Sequence, residues 1–92
     1  MRILVAEDDA VLAGGVAHTL RQSGYAVDWV KDGAEADTAL AAPDEFDLLI
    51  LDLCLPRKSG LDVLRRLRGT DSRLPVLILT ALDRVSDRVR GL

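Results

Sequence analysis

The feature that most constrains the fold is an unbroken apolar run, Leu48–Leu51, that leads directly into Asp52. A continuous apolar run between turn signals is typical of a strand covered on both faces, as in the middle of a parallel sheet. The strand has to end before Pro56, because proline cannot donate to a sheet ladder. We therefore predict that Asp52 lies at the carboxyl end of an interior strand, where open α/β sheets bind their ligands. The alternative is an aspartate that only caps a turn.

Strand and helix patterns alternate along the rest of the chain. Three further apolar or β-branched runs predict strands, at 3–6, 25–30 and 76–79. Each of the four strands is followed by a segment with helical character, the last from about residue 84. Asp9 is the expected N-cap of the first helix, and Gly24 the residue after its last turn. The β-α-β-α-β-α-β-α order with short connections predicts a doubly wound α/β domain with a parallel sheet.

Two local features carry expectations of their own. Gly14 and Gly15 cost the first helix up to about 1 kcal/mol each relative to alanine. We interpret them as allowing the helix to approach the sheet or the site closely. Asp28 interrupts the apolar run of the second strand, which predicts a strand near the sheet edge with Val27 and Trp29 on one face. Trp29 is interpreted as a packing residue.

Composition and charge exclude several classes of protein. The chain has 92 residues, enough for one small domain. Its net charge of −3, without a long basic run, gives no electrostatic footprint for nucleic acid. No apolar stretch reaches the roughly 20 residues of a membrane span, and the acidic residues from position 7 onward come too early for a signal peptide. A single cysteine, Cys54, cannot form an internal disulfide. We expect a cytoplasmic protein that does not bind membranes.

Polar side chains follow three of the predicted strands: Glu7 and Asp8, Asp52, and Thr80. We expect them at one edge of the sheet, where the carboxyl ends of parallel strands meet. Adjacent carboxylates repel each other unless a cation is present or some of them are protonated, and Mg²⁺ prefers such oxygen ligands. A carboxylate can also attack phosphorus to give an aspartyl phosphate. The Thr80 hydroxyl could then hydrogen-bond to the phosphoryl group.

Three motifs in this order resemble the receiver domain of two-component response regulators, most closely the OmpR/PhoB class of transcription factors. The motifs are Ile-Leu-Val-Ala-Glu-Asp-Asp at 3–9, Leu51-Asp52-Leu53 with Pro56 and Gly60, and Leu79-Thr80-Ala81. The resemblance spans the whole chain and implies a flavodoxin-like receiver fold over residues 1–92. It implies a phospho-accepting switch that controls a DNA-binding output domain, with a sensor histidine kinase as the partner.

The resemblance also assigns roles to individual residues. Asp52 would be the phospho-acceptor, and Thr80 the switch hydroxyl that moves toward the phosphoryl group. Asp8 would bind Mg²⁺ directly and Glu7 through water. The backbone carbonyl of Cys54 would be the third protein contact to the metal. The implied metal ligands are thus Glu7, Asp8, Asp52 and Cys54.

The sequence departs from the receiver pattern near its end. Receiver domains have a fifth strand and helix, and a lysine that contacts the phosphoryl group follows the fifth strand. We expect this chain to lack that fifth unit and any DNA-binding domain. Lys31 and Lys58 are its only lysines. Lys58 either compensates in part or, the interpretation we favour, is solvated. Without a fifth strand, 76–79 would be an exposed sheet edge. This predicts a fragment that is unstable alone, or a homo-oligomer formed by edge pairing or domain swapping.

Three functions therefore remain open from the sequence. The first is the phospho-accepting switch, which is not a turnover enzyme. The second is a phosphotransferase or phosphatase resembling haloacid dehalogenases. Those enzymes require a second aspartate two residues after the nucleophile, and Cys54 in that place disfavours this reading. The third is an unphosphorylated interaction module that oligomerises through the exposed edge.

Overall fold

The computed structural model describes residues 1–42, 45–70 and 72–79. Within these ranges the chain forms a parallel four-stranded sheet in the order β2-β1-β3-β4, with helices between the strands. The strands are β1 (Arg2–Ala6), β2 (Ala26–Val30), β3 (Leu48–Leu51) and β4 (Val76–Ile78). The helices are α1 (Ala10–Gln22), α2 (Gly33–Ala39) and α3 (Gly60–Gly69). The predicted doubly wound α/β fold is confirmed, and the helix predicted from residue 84 lies outside the described residues.

The apolar run of β3 is buried on both faces of the sheet, as its sequence predicts. Leu49 and Leu51 lie in a core shared with α2 and α3, whereas Ile50 lies in a second core against α1. Successive side chains of a strand point to opposite faces, so an interior strand with helices on both sides has no polar face. Asp52 is the first polar side chain after this run.

The second strand lies at an edge of the sheet, as Asp28 predicts. Val27 is buried in the α1 core. Trp29 is 43% exposed and belongs to neither core cluster, so any packing by this residue lies outside the two cores.

Both ends of α1 are capped as the sequence predicts. The Asp9 carboxylate accepts hydrogen bonds from the backbone N–H groups of Val11 and Leu12. Gly24, after the C-cap Ser23, has a φ of +92°, a left-handed conformation that favours glycine. The two glycines inside α1 have no such reason, because a Cβ at Gly14 or Gly15 would meet nothing within 4 Å. The expected close approach of the helix at these positions is therefore wrong.

Close approaches occur instead at the first residues of α2 and α3. A Cβ at Gly33 would lie 1.9 Å from the Lys58 carbonyl oxygen, and one at Gly60 would lie 2.1 Å from the Asp52 carbonyl oxygen. The Gly33 N–H donates to the Pro56 carbonyl, and the Gly60 N–H to that of Leu53. Both helices therefore begin against the loop that follows β3. None of the helices in the described ranges is long and apolar enough to cross a membrane.

These differences among the glycines predict opposite effects of alanine. Gly14→Ala should raise the free energy of unfolding by about 0.5–1 kcal/mol, because it improves helix propensity in open space. Gly60→Ala should lower it by about 1–3 kcal/mol or more, because backbone atoms have to move apart. Urea unfolding followed by circular dichroism measures both. Equal effects of the two substitutions would contradict the assignment of Gly60 as a close-approach site.

Candidate functional site

Three acidic residues follow two neighbouring strands at the carboxyl edge of the sheet. Glu7 and Asp8 come directly after β1, and Asp52 comes directly after β3. The two strands pair in parallel with Ala6 opposite Leu51, so the residues after them emerge side by side. The Asp52 N–H donates to the Ala6 carbonyl at 2.9 Å, which continues the ladder into the site.

The carboxylates of these residues form a compact cluster. One oxygen from each of Glu7, Asp8 and Asp52 lies within 4.8 Å of the others. Glu7 and Asp52 are fully buried, whereas Asp8 is exposed. The cluster is therefore enclosed by protein on the sheet side and accessible to solvent at Asp8. This is the arrangement that the sequence predicts for these three residues.

Backbone N–H groups orient two of the three carboxylates. The Asp8 N–H donates to Glu7 Oε2 at 3.0 Å, and the Cys54 N–H donates to Asp52 Oδ1 at 3.0 Å. The Cys54 N–H is thus directed at the Asp52 carboxylate itself. Such bonds restrict the rotation of a carboxylate. The role of the Cys54 carbonyl as a metal contact stays a prediction.

The chemistry of the cluster fits a hard divalent cation. All three side chains offer oxygen donors, and three ionised carboxylates this close would repel one another without a counter-charge. Oxygens on opposite sides of one Mg²⁺ ion are about 4.2 Å apart, given Mg–O distances of about 2.1 Å. The cluster oxygens lie within 4.8 Å of one another, close to that span, so they fit an ion held directly or through a bound water. Glu7, Asp8 and Asp52 are thus able to hold Mg²⁺.

The sequence gives no direct indication of one contact at this site. The indole Nε1–H of Trp29 donates to the backbone carbonyl of Glu7 at 2.7 Å. The Glu7 N–H donates to the carbonyl of Val30 at 3.0 Å. Both backbone groups of Glu7 are therefore bound by the end of β2. The pairing of Val5 with Trp29 and of Ala6 with Val30 could have indicated this, had the register been known.

Lys58 lies in the loop after β3, and its ammonium group forms an ion pair with the Asp37 carboxylate of α2. Its side chain is 31% exposed and that of Asp37 is 15% exposed. Arg66 of α3 also lies 3.8 Å from the Asp37 carboxylate. The interpretation of Lys58 as a solvated residue is wrong, and its ammonium is engaged by Asp37. The other predicted site residue, Thr80, lies outside the described residues.

If the cluster binds a cation, Asp8→Asn should change stability in two ways. Without cation the variant should be at least as stable as the parent chain, because one source of repulsion is gone. Mg²⁺ at ten times its dissociation constant should stabilise the parent by about 1.4 kcal/mol, and the variant much less. Thermal unfolding with and without Mg²⁺ measures both effects.

Asp9→Asn is the matched control for this experiment. It removes the same charge one residue further along, and asparagine caps helices as well as aspartate does. The control should keep the full Mg²⁺ response. Equal losses in the two variants would mean that Mg²⁺ acts through general charge screening and not at the cluster.

Comparison with known proteins gives a consistent family. The family model described as the response regulator receiver domain matches residues 3–92. The response regulator protein PmrA of Pseudomonas aeruginosa is 58% identical over all 92 residues, which are 41% of its length. The transcriptional regulatory protein QseB of Haemophilus influenzae is 45% identical over the same 92 residues, again 41% of its length. The chain thus spans about two-fifths of the length of these relatives.

Solved structures of similar proteins share the fold. The receiver domain of HemR from Leptospira biflexa is 40% identical with a TM-score of 0.80, covering 98% of this chain and 72% of that one. The receiver domain of a Pseudomonas aeruginosa sensor histidine kinase, with a magnesium ion in its active-site cleft, has a TM-score of 0.81 at 32% identity over 87% and 66% of the chains. A complex of the histidine kinase ThkA with the response regulator TrrA matches at 32% identity and 0.78, over 87% and 68%.

Proposed function

Because the chain belongs to the response regulator receiver family, we propose that it is a phospho-accepting signalling switch in which Asp52 receives a phosphoryl group from a sensor histidine kinase. The observation that carries this proposal is the position of Asp52, buried at the carboxyl end of an interior strand and within 4.8 Å of two further carboxylates. A carboxylate so placed is held rigidly and shares its site with the ligands of a cation. We assign Asp52 the role of nucleophile at this edge.

The reaction transfers one phosphoryl group between two protein side chains. A carboxylate oxygen of Asp52 forms a bond to phosphorus, and the phosphorus–nitrogen bond to the kinase histidine breaks with its electron pair returning to the imidazole. The Cys54 N–H holds the Asp52 carboxylate through Oδ1, which limits rotation of the nucleophile. Because the product stays on the protein, the chain is a substrate and a switch, and it is not a turnover enzyme.

Glu7, Asp8 and Asp52, with the carbonyl of Cys54, would hold Mg²⁺ in this site. When bound, Mg²⁺ supplies positive charge that neutralises the carboxylates and the oxygens of the phosphoryl group. The Asp8 N–H fixes the orientation of the Glu7 carboxylate by donating a hydrogen bond to it. The carboxylate of Asp8 is exposed and forms the solvent-accessible side of the site. The Thr80 hydroxyl would donate to a phosphoryl oxygen after transfer. The magnesium ion in the cleft of the similar kinase receiver domain supports this assignment.

The partners follow from the same family relationship. The complex of ThkA with TrrA supports a histidine kinase as the phosphoryl donor. QseB is named as a transcriptional regulator and is more than twice as long as this chain. We propose that phosphorylation controls transcription through a DNA-binding domain that is not part of residues 1–92, and that DNA is contacted only there.

A second candidate, an interaction module that forms homo-oligomers through β4, is favoured by one observation. Leu77 of β4 is 54% exposed, and among the described residues β4 pairs with β3 alone. An open apolar strand can pair with a second copy or exchange with it. Sedimentation velocity over a range of concentrations should show dimers or larger species in this case, and fewer of them in Leu77→Lys. A compact monomer at high concentration would rule out this candidate.

The test of the main proposal is intact-mass measurement after incubation with Mg²⁺ and acetyl phosphate. The chain should gain one phosphoryl group that is lost under mild base, as acyl phosphates are. The gain should be absent in Asp52→Asn and without Mg²⁺. Asp32→Asn is the matched control, since it changes another buried aspartate whose role as helix cap asparagine can take over. No gain in a folded protein would contradict the proposal.

A further inference from the structure

The peptide group between Glu7 and Asp8 is held at both of its polar atoms. Its carbonyl oxygen, which belongs to Glu7, accepts the hydrogen bond from Trp29 Nε1 at 2.7 Å. Its N–H, which belongs to Asp8, donates to the Glu7 carboxylate at 3.0 Å. A peptide group is planar, so fixing the direction of the carbonyl also fixes the direction of the N–H. Through this peptide group the Trp29 indole is linked to the buried Glu7 carboxylate.

We propose that Trp29 is a positioning residue for the cation site, acting through the Glu7–Asp8 peptide and not by contact with the cation. This inference rests on the proposed cation site and adds a residue on β2, which supplies none of the carboxylates. Without the indole donor, the peptide can rotate, and the Asp8 N–H no longer points at Glu7 Oε2. Two of the three carboxylates lie on either side of that peptide, so their preorganisation would be lost.

The surroundings of Trp29 favour this role over a packing role. Trp29 is 43% exposed at an edge strand and belongs to neither core cluster. Val27, two residues earlier on the same strand, is 7% exposed and packs in the α1 core. The strand therefore separates two tasks: Val27 packs against the core, and Trp29 donates its N–H toward the site.

The composition of the chain allows the indole N–H to be removed with almost no other change. Trp29 is the only tryptophan. Expression in a tryptophan-requiring host with benzothienylalanine replaces the N–H of residue 29 by sulfur and keeps the bicyclic ring. Trp29→Phe provides a genetically encoded version that also lacks the donor. Val27→Ala is the comparison variant, because it removes packing from the same strand and leaves the indole bond intact.

Mg²⁺ binding measured by isothermal titration calorimetry tests the inference, with urea unfolding measured in parallel. The benzothienyl protein and Trp29→Phe should bind Mg²⁺ about fivefold more weakly than the parent chain, the equivalent of one ordinary hydrogen bond. Val27→Ala should be less stable to urea but should bind Mg²⁺ within twofold of the parent. A purely structural role of Trp29 would give the Val27→Ala pattern for all three proteins.

The outcomes separate this inference from the proposed function. If the parent chain binds Mg²⁺ and both donor-free proteins bind it equally well, Trp29 does not position the site, and the proposed function is unaffected. If the parent chain binds no Mg²⁺ while folded, the proposed cation site and this inference are both overturned. A weakened Mg²⁺ affinity in the donor-free proteins, with a loss of stability no greater than that of Val27→Ala, is the result that the geometry requires.

Discussion

The parallel pairing of β1 with β3 is the constraint on which the rest of the structure depends. With Ala6 opposite Leu51, the residues that follow both strands leave the sheet at the same level. The bond from the Asp52 N–H to the Ala6 carbonyl then extends the ladder by one step beyond the strands. A shift of register by one residue would exchange the side chains of β3 between the two cores and would leave the residues after the two strands at different levels. The same register that buries both cores therefore assembles the acidic cluster.

The acidic cluster lowers the stability of the fold at the same place where it forms the candidate site. Glu7 and Asp52 are buried beside another carboxylate, which costs desolvation and repulsion in the absence of a counter-ion. The apolar side chains beneath them offset this cost: Leu4, Leu49, Leu51 and Val63 are all fully buried. A domain of this size has a small margin of stability. Binding of a cation to the cluster would thus contribute to the fold as well as to the reaction.

The parts of the structure that follow from local pattern could be predicted from the sequence. The run before Asp52 predicts an interior strand because burial on both faces requires continuous apolarity. Asp9 predicts a helix start because its carboxylate bonds to free backbone N–H groups. The cluster of Glu7, Asp8 and Asp52 follows once the strands are taken as parallel neighbours. In each of these cases, the residue type and its place in a strand or helix pattern determine where the residue lies in the structure.

The contacts that could not be predicted are those between residues whose relation depends on the exact packing of elements. Lys58 pairs with Asp37 because α2 lies over the loop after β3, and no sequence period connects the two positions. Asp32-Gly33 is a turn dipeptide in the sequence, but the approach of the Lys58 carbonyl to Gly33 depends on how α2 packs against the loop after β3. From the sequence, Trp29 is an aromatic residue typical of a β-strand. The register of β2 against β1 is what places its indole N–H on the Glu7 carbonyl.

Each of these unpredicted contacts holds a loop of the site to an element that contributes no residue to the acidic cluster. The loop that carries Glu7 and Asp8 is held to β2 by Trp29 and Val30. The loop after Asp52 is held to α2 through Gly33 and Lys58. A group of like charges is useful for binding only if its members cannot turn away from one another, so the scaffold has to oppose their repulsion. β2 holds one of these loops and α2 holds the other, and together they oppose the repulsion between the carboxylates. Residues remote in sequence therefore belong to the site.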